Sequence, residues 1–236
     1  MISKHKVLAS MIRSFFGAYT AGIIDNNVTD IYEKHKPQTI KKVMLEHYEQ
    51  ISVAFHDILF YPIAHINYTE EEITRCLQDN YKEGTTMIEL VQLACKTDEM
   101  HKAMIAEYKR HFESLLQGHI PTASEHEKAY IRGGDCMETG DAIKLVVRIV
   151  MTSYSKGVKQ SGKADATLHQ PSILKLTLDA MNVLLSDEEA DSILPESDGG
   201  LAGMFYKACK KQEYFQLMTE AMDEAYGTIA DDDDDH

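Results

Sequence analysis

The stretch Asp141 to Tyr154 constrains the fold more than any other. It places Ile143, Leu145, Val146, Val147, Ile149, Val150 and Met151 around nearly the whole circumference of a helix. A helix apolar on almost every face is stable only when other elements surround it, so this segment belongs at the centre of a core. Elsewhere apolar residues recur at helical spacing and strand-like alternation is scarce, which predicts an all-α chain: a compact multi-helix bundle with an amphipathic helical C-terminal region and an acidic tail.

The spacing predicts a first helix over Ser3–Ile24, a short one near Val28–Lys34, and one running from Gln38 to Phe60 that Pro62 ends, because proline lacks the N–H that would continue it. Thr69 with Glu72 forms a capping box opening a helix to about Lys82. A helical stretch from Thr85 or Thr86 to Leu115 breaks near Thr97-Asp98 and stops at Gly118 and Pro121. Further helices are expected over Ser124–Ile131 and Pro171–Leu185. Another should start at the capping box Ser186/Glu189, and Leu201 to Ala225 should form a pair of helices or a single one. The domain reading is a helical core over 1–158, a loop or linker over 159–170, a C-terminal helical subdomain over 171–230, and a disordered acidic tail over 231–236. No internal repeat is evident.

A formal charge of −14 over 236 residues, with the basic pairs Lys41-Lys42, Lys109-Arg110 and Lys210-Lys211 scattered, argues against direct nucleic-acid binding. Cys76, Cys95, Cys136 and Cys209 form no C-x-x-C pair, so reduced, mostly buried thiols in a cytoplasmic setting are expected. Arg13 interrupts the N-terminal apolar run, and no stretch reads as a membrane span, so no membrane association is expected.

Chemistry-bearing residues concentrate in Val53-Ala-Phe-His-Asp-Ile-Leu-Phe-Tyr-Pro62. Leu45, Val53 and Phe60 flank His56 on the wheel, which makes the imidazole buried or half-buried and demands a partner for a buried Asp57. Glu107 and His111, one turn apart, read as a surface ion pair. The run Phe55 to Pro62, followed by Asn67-Tyr-Thr-Glu-Glu-Glu-Ile-Thr-Arg-Cys76, resembles the HD-domain metal-dependent phosphohydrolases, all-helical enzymes whose central His-Asp pair binds a divalent metal. The resemblance implies a metal at His56 and Asp57. Its upstream histidine position falls near Thr39, with His35 or His47 as substitutes, and its downstream aspartate is matched by Asp98 or Glu113.

The leading functional expectation is a non-enzymatic helical interaction or assembly protein, a subunit or adaptor that binds a protein partner or a second copy of itself and needs no cofactor. Asp231, Asp232, Asp233, Asp234 and Asp235, with Met218 and Met222, are its candidate interaction residues. The alternatives are a divalent-metal phosphohydrolase or degenerate relative, using His56, Asp57, His35 and Asp98, and an acidic inhibitor of a basic partner surface.

Overall fold

The computed structural model describes residues 1–82, 84–120, 135–163, 168–191 and 200–234, without the side chains of Ile31 and residues 230–234. The expected helix over Ser124–Ile131 and the end of the acidic run at Asp235 lie outside the described residues.

The fold is all-α, as the periodicity predicts. In chain order it comprises α1 (Lys4–Asn27), α2 (Ile31–Lys34), α3 (Pro37–Glu46), α4 (Tyr48–Asn67), α5 (Glu70–Asn80), α6 (Met87–Ala94), α7 (Asp98–Leu116), α8 (Thr139–Gln160), α9 (Gln170–Leu184), α10 (Leu201–Cys209) and α11 (Gln212–Asp234). A two-residue antiparallel ribbon, β1 (Ile2–Ser3) with β2 (Cys136–Met137), ties the start of α1 to the start of α8.

The strongly apolar segment is central, although Asp141, Lys144 and Arg148 leave one exposed polar stripe along it. Helix α8 crosses α1, and Val7, Ile12, Phe15 and Phe16 of α1 are as fully enclosed as Ile143, Val146, Val147 and Val150 of α8. Contrary to the sequence reading, α1 is long and apolar enough to cross a membrane; here 94% of its most apolar window is enclosed by the rest of the bundle.

Several local expectations need correction. The long helix divides at His47 into α3 and α4, and α4 then runs through Pro62 to Asn67. Proline inside a helix forfeits one hydrogen bond, but Pro62, Ile63, Ala64 and Ile66 are all buried, so apolar burial holds the last turn together. The capping boxes at Thr69/Glu72 and Thr86/Glu89 form with both hydrogen bonds in place. Ser186 opens no helix among the described residues. Lys6 Nζ instead reaches its Oγ at 3.0 Å and Asp187 Oδ2 at 2.8 Å. Helix α9 packs on both α1 and α8. The backbone of α11 stays helical through Asp234.

The packing also reveals an internal repeat that the sequence reading missed. Helix α1 packs on α4, α7 and α9, while α8 packs on α9, α11 and α4; α6 lies on α4 as α10 lies on α9. The halves therefore exchange places when α1 is matched to α8, α4 to α9, α6 to α10 and α7 to α11.

The central crossing is reciprocal in atomic detail. A Cβ on Gly22 would lie 2.3 Å from Tyr154 O, and one on Gly157 would lie 2.2 Å from Tyr19 O. Such isologous contacts define a twofold relation, here within a single chain. With that register, Arg13, Tyr19 and Gly22 align with Arg148, Tyr154 and Gly157 at identical spacing.

The helical hairpins match as well. Ala94-Cys95-Lys96, Glu99 and Met104 align with Ala208-Cys209-Lys210, Glu213 and Met218. Lys96 and Lys210 both adopt positive φ, at 61° and 67°, and each cysteine Sγ lies 3.8 Å from its methionine Sδ. Helices α2, α3 and α5 have no counterpart among the described residues of the second half.

Candidate functional site

A cleft of about 490 Å³ opens among α1, α3, α7 and α9. Helix α1 offers Ala21, Ile24 and Asp25, α7 offers Arg110, His111 and Ser114, and α9 offers Ser172, Lys175, Leu176 and Asp179. Spacings of three, four and seven residues put each set on one helical face. The remaining wall comes from the α2–α3 addition, through Lys34, His35, Pro37 and Ile40.

One end of the cleft is fixed by glycine. Gly118 closes α7 at φ +85°, with the His119 N–H donating to Ser114 O at 3.0 Å, a left-handed helix end that suits a residue without Cβ. A Cβ there would stand 2.3 Å from Pro37 O, so α7 and α3 meet backbone to backbone beside the cleft.

Asp25 anchors the wall contributed by α1. Lys34 Nζ lies 2.8 Å from its Oδ1, and the Tyr154 hydroxyl donates to its Oδ2 at 2.7 Å. Burial pushes the carboxyl up, but the combined donors Lys34, Ser172 and Tyr154 outweigh it and hold Asp25 below the usual carboxylate range. His169 Nδ1 lies 2.8 Å from Ser172 Oγ and 3.9 Å from Asp25 Oδ2. Serine and aspartate thus face the same ring nitrogen. A hydrolytic triad needs them on opposite nitrogens, so this is a structural knot rather than an activated nucleophile.

On the opposite wall the Glu107–His111 pair is buried, not a surface ion pair. Glu107 is 2% exposed and His111 4%. Arg110 donates to Glu107 Oε2 through Nε at 3.0 Å and Nη2 at 2.5 Å, and His111 Nε2 sits 3.3 Å from the same oxygen. Burial raises the Glu107 carboxyl, yet His111 and Arg110 together hold it below its ordinary value. Burial, reinforced by Arg110 and Arg13, keeps the His111 imidazole neutral against the pull of Glu107. In α11 the equivalent positions are Ala221 and Ala225, both buried, with Glu224 at the place of Arg110. The polar cluster is thus a specialisation of the first half.

Asp179 completes the lining. Burial holds its carboxyl above the ordinary value, against the pull of Lys175 and Arg13, and Arg13 Nη2 donates to its backbone carbonyl at 3.2 Å. The cleft therefore combines an apolar body (Ile24, Ile40, Ile120 and Leu176) with Lys34 and Arg110, which are paired to Asp25 and Glu107, and with Lys175 and Asp179.

The other residues singled out by sequence fall elsewhere, apart from His111 and from His35, which is exposed at the cleft wall. His56 is half-buried and its Nδ1 lies 2.7 Å from Ser52 O of its own helix. Asp57 is exposed, as are Leu45 and Val53, so the carboxylate is hydrated and needs no buried partner. Asp98 is exposed in the first turn of α7, behind the N-cap Thr97. Among the described residues no group of three or more His, Cys, Asp or Glu side chains comes together to hold a metal. Met218 and Met222 are buried and pack the bundle. Asp231–Asp234 continue α11, and Asp235 lies outside the described residues. Burial pushes the Cys95 and Cys209 thiols up to about 12, which keeps them protonated.

Sequence reading missed Arg110, Lys175 and Asp179 because the cleft draws on four separated segments. The available signal was Glu107–Arg110–His111 interrupting the apolar face of α7 at core spacing. Comparison with protein-family models, curated proteins and solved structures found no match.

Proposed function

We propose that the chain is a helical binding protein whose α1/α3/α7/α9 cleft takes a small organic anion, an apolar body carrying a carboxylate or phosphate. The observation that carries this reading is the meeting of Ile24, Ile40, Ile120 and Leu176 with Lys34, Arg110 and Lys175 in one cavity large enough for such a molecule. The apolar wall supplies affinity through burial, and the cations select charge. Behind Arg110, Glu107 fixes the guanidinium so that little conformational freedom is lost on binding.

Thermal unfolding in the presence of octanoate, octanol or octylammonium tests the proposal. Octanoate raises Tm in a saturable manner, octanol raises it less, and octylammonium not at all. Equal shifts from all three would point to unselective apolar binding and remove the proposal.

A second reading, assembly with a protein partner or a second copy, is favoured by the exposed apolar side chains Leu45, Tyr48, Val53 and Tyr61 at and along the outer side of α4. Val53→Lys with Tyr61→Lys would then lower the native mass at micromolar concentration, and an unchanged mass would count against assembly through this face.

A further inference from the structure

The twofold relation between the halves predicts a counterpart of the cleft, and one is present. A second cavity of about 370 Å³ lies between α8 and α11. Its α11 wall, Glu224, Ala225 and Thr228, occupies the positions of Arg110, His111 and Ser114. Its α8 wall carries Lys156 and Lys159 where α1 has Ala21 and Ile24.

The chemistry is inverted along with the wall. The first cleft sets Lys34 and Arg110, each paired with a carboxylate, and Lys175 against an apolar surface. The second groups Arg148, Lys156 and Lys159 with the hydroxyls of Thr152, Ser155 and Thr228, against the single carboxylate of Glu224. Arg148, Lys156 and Lys159 share one face of α8, opposite α11, and in a chain with 38 acidic and 24 basic residues their grouping runs against the general charge. An outward lysine row on an ordinary helix would face solvent alone. Here α11 rises beside it and makes a cavity that Thr152 and Ser155 also line, while the Thr228 hydroxyl donates to the Glu224 backbone carbonyl at 3.1 Å. No large apolar lining beyond Ala225 and Ile229 is available to an organic body.

From this geometry we infer that the α8/α11 cavity is a second ligand site, for a compact polyanion bearing phosphate groups. This inference does not depend on the reading of the first cleft. Lysine and arginine take phosphate oxygens through charge-assisted hydrogen bonds, and a diphosphate spans more than one cation where a monovalent anion cannot.

The test is calorimetric titration of the full chain with inorganic pyrophosphate, without divalent cations and at fixed ionic strength. Saturable binding of one pyrophosphate is expected, with chloride at equal ionic strength giving no such isotherm. Arg148→Gln with Lys156→Gln, both exposed positions, weakens it at least tenfold, and Glu224→Gln tightens it severalfold by removing the opposing charge. Arg110→Gln with Lys175→Gln, in the first cleft, leaves it within twofold, so failure of one site is distinguishable from failure of the other. Replacing Asp231–Asp235 by serine leaves the affinity equal or higher. Absence of saturable binding at millimolar pyrophosphate, indifference to the Arg148/Lys156 pair, loss through the first-cleft variant, or loss on neutralising the acidic run would each overturn the inference.

Discussion

Tyr154 on α8 donates its hydroxyl to Asp25 Oδ2 on α1 at 2.7 Å, three residues from where the backbones of the two helices touch at Gly22 and Gly157. The contact at the centre of the twofold crossing thus also sets a wall of the first cleft. Tyr154→Phe removes a donor from a largely enclosed carboxylate and should cost about 1–2 kcal/mol at pH 7. Asp25 has a lowered folded pKa, so its contribution is present above the unfolded carboxylate value near 4 and is lost as pH falls through the folded one. Denaturation of the variant at pH 7 and at pH 3 should show the deficit shrinking at the lower pH; an equal deficit at both would disconnect the phenol from Asp25.

The crossing itself should tolerate no side chain. Gly157→Ala and Gly22→Ala each force a methyl to within 2.3 Å of a carbonyl oxygen on the other helix. Each should lower stability by about 3 kcal/mol or more, and the two costs should be similar because the contacts are reciprocal. Gly227, on the exposed side of α11, meets nothing within 4 Å, so Gly227→Ala should stabilise by about 0.5–1 kcal/mol. Denaturant midpoints decide both points, and a mild Gly157→Ala would mean that the helices are not in backbone contact.

The buried cluster on α7 makes the bundle acid-sensitive. His111 is held below its ordinary value by burial, so the stability of its neutral state is present above about pH 6.5 and is lost as pH falls. Glu107, also lowered, adds a second loss as pH falls through its folded value. Glu107→Gln should cost about 3 kcal/mol at neutral pH, since Arg110 and His111 lose the carboxylate between them. Copying α11 instead (Glu107→Ala, Arg110→Glu and His111→Ala together) should cost less than Glu107→Ala alone, while abolishing octanoate binding. A triple variant less stable than the single one would refute the equivalence of α7 and α11.

At the histidine–aspartate pair on α4, Asp57 is exposed and His56 bonds its own helix, so Asp57→Asn should change stability by no more than about 0.5 kcal/mol. Manganese or magnesium should leave Tm unchanged in both forms. A metal-dependent rise in the wild type that Asp57→Asn removes would support the phosphohydrolase reading.

Helix identity was legible wherever local signals were complete. The apolar circumference of Asp141–Tyr154 announced the central helix, and Thr69 with Glu72 announced a cap that forms. Local rules failed where tertiary packing outweighed them: Pro62 sits inside α4 because its neighbours are buried, and Glu107 and His111 are enclosed because Arg110 satisfies them. The repeat was nearly invisible in sequence because the two halves share only a few spacings, such as Arg13, Tyr19 and Gly22 against Arg148, Tyr154 and Gly157, and differ at most other positions. The cleft depends on long-range convergence and on the α2–α3 addition, which no periodicity reports.

The most direct measurement is methyl NMR of isoleucine-labelled full-length chain during octanoate titration. The account predicts that the Ile24, Ile40 and Ile120 methyls, which line the cleft, shift together and saturate. Ile66 in the core near the end of α4 and exposed Ile88 on α6 should stay unchanged. Shifts confined to Ile88, or no saturable shift at Ile24 and Ile40, would contradict it.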